Sequence, residues 1–481
     1  MKCLFISVNK DKGFRPALPI GMITVATETS KYGHEVYCVD LCFEDDISAV
    51  ENALRDFDPE IIAISIRNID LQSYLEPVFS LPLARRIAEL CHKTKPNCKI
   101  VLGGSAFTLM PEEMMLYIPA DIGIVGPGEK NFPLLLDNLN KNGNINNIPG
   151  LVRRSQDGSL LVNPVNVTYV EFGSAPTANR ALYDERYFNY TFIGPTPIKV
   201  AADAVLSKRG CPLSCIYCTN SIIAGTKLKL KSPEKTVNEI EEIIKLGKIK
   251  RFEFADGAFN MPIDHALQIC KEMVKRNMRF PWNCMFSPGA ASPELLDLMV
   301  TSGCDLLELG SEAGSDKILQ ILQKNFDVER LKKVHEMINE RGIKAEHCIF
   351  IGSPGETKET LLETFDTMEG LVPNTKDSPH RLYITFGYRI FKGTKLYQIA
   401  LEEGIINEKD YLAVPKYYVA PNILKNDSLL DLIEDKIAEH NNWYLWWGIP
   451  NIHLKERVRE VQKIYQQMDE VFLKAIGIRS N

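Results

Sequence analysis

The chain lacks any run of about 18 apolar residues, so no membrane-spanning helix is expected. It also lacks a surplus of positive charge. Its formal net charge is -6 at pH 7, which argues against the electrostatic footprint of a nucleic-acid binder. Cysteine is sparse for the length, 12 residues at irregular intervals, and this argues against a disulfide scaffold. The first residues, Met1-Lys2-Cys3-Leu4-Phe5-Ile6-Ser7-Val8, are apolar only briefly. They lack the long apolar region and small-residue cleavage site of a signal peptide and read as a buried first strand. Reduced thiols and a cytoplasmic location are the expectation. No internal repeat or low-complexity tract stands out.

What remains is an ordinary globular composition, 45% hydrophobic and 25% charged, in 481 residues. That length suggests about three domains. Strand-like segments at Lys2–Val8, Glu35–Asp40, Pro59–Ile66, Lys99–Leu102 and Ile122–Val125 alternate with helical spacing at Gly21–Tyr32, Ile47–Phe57, Pro82–His92, Pro111–Leu116 and Asn131–Leu139. The alternation predicts an α/β domain over residues 1–165, a doubly wound parallel sheet. Such sheets bind ligands at the carboxyl ends of their strands. Gly103, Gly104, Gly126 and Gly128 fall there.

Residues 166–197 hold several Pro, Gly and Ser without periodicity and read as a linker. Strand-like runs resume at Lys199–Leu206, Arg251–Phe254, Asp305–Leu309, Ala345–Ile351 and Arg381–Tyr388, with helical runs between them. This predicts a partial or full βα barrel over residues 198–400, with its active site at the carboxyl ends of the strands. Residues 401–481 look mostly helical and contain the aromatic cluster Trp443-Tyr444-Leu445-Trp446-Trp447.

The segment that carries chemistry is Cys211-Pro212-Leu213-Ser214-Cys215-Ile216-Tyr217-Cys218. Three thiolates on one short loop can hold three irons of a [4Fe–4S] cluster and leave the fourth iron open. The bland alternative is structural zinc or unliganded thiols. Zinc needs four ligands, and no second cysteine or histidine pair follows closely.

This spacing, with the aromatic Tyr217 just before the third cysteine, resembles the signature of the radical S-adenosylmethionine (radical SAM) family. The resemblance implies that the open iron chelates S-adenosylmethionine. It also implies reductive cleavage to a 5′-deoxyadenosyl radical, hydrogen abstraction from an unactivated carbon, and an electron donor such as flavodoxin or ferredoxin. Further segments match in order. Phe252–Asn260 resembles the segment that contacts the methionine amino group, with Asp256 and Gly257. Glu308–Asp316 resembles the ribose and carboxylate segment, with Ser311 and Glu312; its plainer reading is a strand end and a helix cap. Ile349–Glu356 resembles the adenine-side segment, with Ile351 and Gly352. Phe391-Lys392-Gly393-Thr394 resembles the family's Pro-Gly-Thr closure, with Lys392 where proline is usual.

The N-terminal region resembles the cobalamin-binding domain fused before many radical SAM barrels. The matching pieces include Pro19-Ile20-Gly21, Gly103-Gly104-Ser105-Ala106 and Gly126-Pro127-Gly128-Glu129. The resemblance places the cofactor's nucleotide tail beside Ser65, Gly103 and Gly104. Asn9–Gly21 contains no histidine to ligate cobalt, and His34, at a helix-to-strand turn, reads as structural. The resemblance therefore implies cobalamin-dependent methylation of an unreactive carbon in a small-molecule substrate. Non-methylating radical chemistry is the alternative: deoxygenation, cyclisation, ring contraction or epimerisation, with or without cobalamin. A cobalamin-binding sensor with a structural cluster is a third reading. Near the substrate the candidates are Arg389 (otherwise a salt bridge), Trp443, Trp446 and Trp447 (otherwise packing), and Phe14 and Arg15 against the cofactor.

Overall fold

The computed structural model describes residues 1–12, 16–155, 157–165, 173, 177–192, 198–200, 202–375, 378–445 and 453–478. Phe14, Arg15, Trp446 and Trp447 lie outside the described residues.

The N-terminal sheet is built from β1 (Lys2–Ser7), β2 (Glu35–Asp40), β3 (Ile61–Ser65), β4 (Lys99–Gly103), β5 (Ile122–Ile124), β6 (Leu151–Arg154) and β7 (Leu160–Val162), in the order β2-β1-β3-β4-β5-β6-β7. The first five are parallel and the last two antiparallel. β1 and β3 are nearly continuous apolar runs, as strands covered on both faces by helices must be. Register aligns Ser7 with Ser65, and Ser65 with Gly103, so their carboxyl ends form one edge.

The connecting stretch carries a short antiparallel hairpin, β8 (Tyr190–Phe192) with β9 (Ile198–Val200). The second sheet then uses β10 (Ala202–Val205), β13 (Arg251–Phe254), β14 (Trp282–Phe286), β15 (Cys304–Glu312), β16 (Lys344–Ile351), β17 (Arg381–Phe386) and β20 (Trp443–Leu445), in that order and all parallel. Between them, β11 (Lys208–Arg209) pairs with β12 (Lys229–Leu230), and β18 (Tyr388–Arg389) with β19 (Tyr417–Tyr418). Helices such as Pro233–Lys245, Ile263–Lys275 and Val328–Glu340 bury one apolar face on this sheet. The result is an open βα barrel.

Two strands of the barrel sheet differ from the sequence reading. Trp282–Phe286 sits between Pro281 and Pro288 and was not anticipated as a strand. Trp443–Leu445, expected within a helical region, returns to pair with β17. Trp443 is buried, donates its indole N–H to Val372 O at 2.9 Å and stacks on His440. It packs the barrel rather than lining a substrate pocket. The helix Leu454–Ala475 reaches the N-terminal domain: Phe472 stacks on Tyr117 at 4.8 Å, and Tyr465 donates to Tyr74 O at 2.8 Å.

Candidate active site

β10 leads into β11, and the β11–β12 pair frames the loop Cys211–Cys218. The loop is held by main-chain bonds on three sides. Cys211 N donates to Gly225 O at 3.1 Å, Ile216 N to Leu322 O at 3.3 Å, and Leu396 N to Ile216 O at 2.9 Å. Ile216 is buried and anchors the loop, while all three cysteines stay half-buried. Among the described residues, no three His, Cys, Asp or Glu side chains close on one point as ligands of a single ion would. Each thiolate of a cubane cluster binds a different iron, so its ligands stand apart. Burial pushes the Cys215 thiol up, with Lys324 opposing it, and burial raises Cys218 to about 11. These are sites where a thiolate needs a cationic partner. Lys324 Nζ lies 3.6 Å from Cys215 Sγ.

Beside the loop stands Glu312. A register shift in the β15–β16 pairing falls between Gly310 and Glu312, and Glu312 has φ +64°. That is strained backbone for a residue with a Cβ, and such strain gathers at functional sites. Glu312 Oε1 accepts from Lys324 Nζ at 3.1 Å, and its Oε2 has no hydrogen-bond partner among the described residues. Tyr217 is half-buried against this carboxylate; desolvation first, then the Glu312 charge, pushes its hydroxyl well up. Tyr217 also packs on Phe350 and Tyr388, ring centroids 5.6 and 5.2 Å away.

Other expected residues are placed differently. Asp256 is buried and already engaged: Oδ1 accepts from Ser207 N at 2.9 Å and Lys208 N at 3.2 Å, and Oδ2 from Ser207 Oγ and from Lys208 Nζ at 3.2 Å. A carboxylate offers about four acceptor sites, so this one is saturated by the chain itself. It braces the approach to Cys211. Ser311 is buried and already engaged, its Oγ 2.8 Å from His347 Nδ1. Ile351 is fully buried in the core, and the side chain that faces Tyr217 is its neighbour Phe350. Strand alternation is the signal that distinguishes the two. Gly352 N donates to Glu356 Oε2, which holds the strand-to-helix turn closed. Arg389 forms a buried ion pair with Asp70 of the N-terminal domain at 2.6 Å, so its salt-bridge reading is the one realised. Lys392, at the proline position, pairs with Glu113 at 3.2 Å and also ties the domains together.

One cavity of about 500 Å³ opens between the two sheets. Ser65, Gly103, Gly104, Gly126 and Gly128 line it from the first, and Lys208, Gly210, Glu253, Asp256 and Gly257 from the second. The glycines differ in kind. Gly104 has φ +102°, and a Cβ there would lie 2.4 Å from Ile66 O, so the chain's own packing requires glycine. At Gly103 a Cβ would meet nothing nearer than 4.0 Å. The space it leaves belongs to the cavity. Glu129, buried at the rim, pairs with Arg209 of β11 through Oε1, and its Oε2 has no hydrogen-bond partner among the described residues. His34 is buried beside the N-terminal amine, in keeping with a structural role.

Two family models match in tandem: the B12 binding domain over residues 14–136 and the Radical SAM superfamily over residues 205–368. The chain is a radical SAM enzyme with a B12 binding domain. It is 24% identical to an uncharacterized methyltransferase of Pyrococcus horikoshii over 72% of each chain. It is 25% identical to an anaerobic magnesium-protoporphyrin IX monomethyl ester cyclase of Rubrivivax gelatinosus, over 59% of this chain and 51% of that one. Its fold matches the radical S-adenosylmethionine methyltransferase TsrM from Kitasatospora setae with TM-score 0.78 and 20% identity, over 98% of this chain and 99% of that one.

The residues of this radical SAM enzyme fit the groups its family implies. The half-buried thiols beside a cation suit an iron–sulfur cluster. The unpartnered oxygen of Glu312, next to the loop, suits a polar cofactor there. The open space at Gly103 and the spare oxygen of Glu129 suit a large amide-bearing cofactor such as cobalamin. Sequence reasoning missed Lys324, Phe350, Glu129 and Arg209 as members of the site. Glu129 and Phe350 lay inside quoted motifs, whereas Lys324 and Arg209 lay outside them.

Proposed function

We propose that this enzyme methylates an unactivated carbon of a small molecule, with Cys211, Cys215 and Cys218 holding a [4Fe–4S] cluster. The observation that carries the reading is the shared cavity, lined by the B12 binding domain on one side and by the approach to the cysteine loop on the other. When bound, the cluster with S-adenosylmethionine supplies one-electron bond cleavage, and cobalamin supplies a methyl carrier. The chain's own part is to bind and orient. Glu312, Gly257 and Gly352 are the candidates to hold S-adenosylmethionine, with Ser311 contributing only its main chain. Tyr217 and Phe350 supply an apolar wall. Ser65, Gly103, Gly126 and Gly128 face the cobalamin side, with Gly104 shaping the turn beneath. An external reductant such as flavodoxin or ferredoxin delivers the electron.

The test is anaerobic purification with cobalamin supplied, followed by metal analysis and turnover with methyl-deuterated S-adenosylmethionine. Iron and cobalt together, with deuterium in a product, support methyl transfer. Iron without cobalt and no label transfer would overturn it in favour of non-methylating radical chemistry. That second reading draws on the likeness to the magnesium-protoporphyrin cyclase.

A further inference from the structure

We propose that Lys324 tunes the reduction potential of the iron–sulfur cluster by donating a hydrogen bond from Nζ to Cys215 Sγ. The inference rests on the cluster assignment above and adds a residue that no part of the cysteine motif contains. The segment that carries Lys324 is built around the loop. The short helix Asp316–Ile321 ends, and Gln323 turns the chain at φ +58°. Lys324 N then donates back to Leu319 O at 2.9 Å. Leu322 O accepts from Ile216 N at 3.3 Å, and the Gln323 carboxamide, with its nitrogen toward the loop, donates to Ser214 O at 2.9 Å. Three successive residues therefore grip Ser214, Cys215 and Ile216.

The Lys324 side chain is only 7% exposed. Burying an ammonium is costly unless it is paired. Glu312 supplies one partner at 3.1 Å, and Phe326 offers its ring face 5.8 Å away. An ammonium has three donors. One is directed at Cys215 Sγ, 3.6 Å away. If the ammonium were there only to neutralise Glu312, contact with the thiol would serve no purpose. A donor on a cluster sulfur withdraws electron density, and a positive charge in a buried setting stabilises the more negative, reduced cluster. Both raise the potential, which eases reduction by an external donor.

The experiment is an EPR-monitored redox titration of reconstituted wild type, Lys324→Met and Lys324→Arg, with iron measured in each. Lys324→Met keeps the length and volume but loses the charge and the N–H groups. We expect full iron loading and a midpoint potential lowered by about tenfold in the reduction equilibrium, which is ~59 mV for one electron. Lys324→Arg should recover most of the shift. An unchanged potential in fully loaded Lys324→Met would overturn the proposal. Equal loss of iron in Lys324→Met and Lys324→Arg would also overturn it, because the side chain would then build the loop rather than tune it. Wild type without iron would instead strike the cluster assignment itself.

Discussion

The barrel side of the site, at the cysteine loop, and the sheet side, at the glycine edge of the cavity, are two walls made of different material. The barrel wall works through side chains: three thiols, the Glu312–Lys324 pair and the rings of Tyr217, Phe350 and Tyr388. The sheet wall works largely through backbone and the absence of side chains, at Gly103, Gly104, Gly126 and Gly128. A side-chain site can be erased by removing one group. A backbone site fails when something is added. The sharpest test of that difference is a double dissociation. Cys215→Ala should reduce iron and S-adenosylmethionine cleavage to background while leaving cobalamin retention intact. Gly103→Val should leave iron unchanged but weaken cobalamin retention at least tenfold, about 1.4 kcal/mol. If either variant loses both cofactors, the walls are not independent.

They are joined physically by buried polar pairs. Arg389 Nε and Asp70 Oδ2 lie 2.6 Å apart, both side chains only 2% exposed, and Arg389 also donates to Ile390 O and Leu412 O. Removing one partner strands a buried charge, at a cost of roughly 3–5 kcal/mol. Arg389→Met should therefore lower the urea midpoint strongly, whereas a residue that only contacts substrate would spare stability and change KM.

The glycine pair refines the comparison at the next scale down. Gly104→Ala forces a Cβ against Ile66 O in a left-handed conformation. It should cost about 1–3 kcal/mol of stability. Gly103→Ala, with open space ahead of it, should stay within about 0.5 kcal/mol. Calorimetry on the two variants measures both; equal losses would mean that Gly103 too is held by packing.

These contrasts explain what was legible beforehand. The cysteine spacing and the βα alternation are local patterns, so the loop and most strands of the two seven-stranded sheets could be read directly. Asp256 shows the limit of such reading. Its motif resembles a cofactor contact, yet Ser207 and Lys208, about 50 positions away in the chain, fill its acceptor sites. Asp256→Ala should consequently lower iron loading, because Ser207 and Lys208 lead directly to Cys211. Lys324 lies 109 residues from Cys215 and follows no periodic pattern. Phe350 differs from Ile351 only in strand phase, and Trp443–Leu445 becomes a strand only because β17 is there to pair with it. In each case the deciding partner is distant in sequence, where propensity and spacing carry no information.

The smallest expected effect lies behind the barrel wall and depends on acid. Ser311 Oγ meets His347 Nδ1, His347 Nε2 meets His335 Nδ1 at 3.0 Å, and the His335 ring packs edge-on against His380. Burial, with the nearby His380 adding, lowers His335 from 6.5 to about 4, and burial lowers His347 and His380 as well. The folded chain thus keeps these rings neutral where the unfolded chain takes up protons. Stability contributed by His335 is complete above pH 6.5, falls as pH drops toward about 4, and levels off below it. At pH 5.5 the loss should be about 1 kcal/mol from this residue. His335→Gln, which retains a donor for His347, should flatten that part of the profile in urea titrations across the range. Ser311 belongs to the barrel side of the comparison, so the same acid shift should disturb the S-adenosylmethionine side of the site before the glycine wall. An unaltered slope in His335→Gln would show that the three-ring chain does not carry the pH dependence.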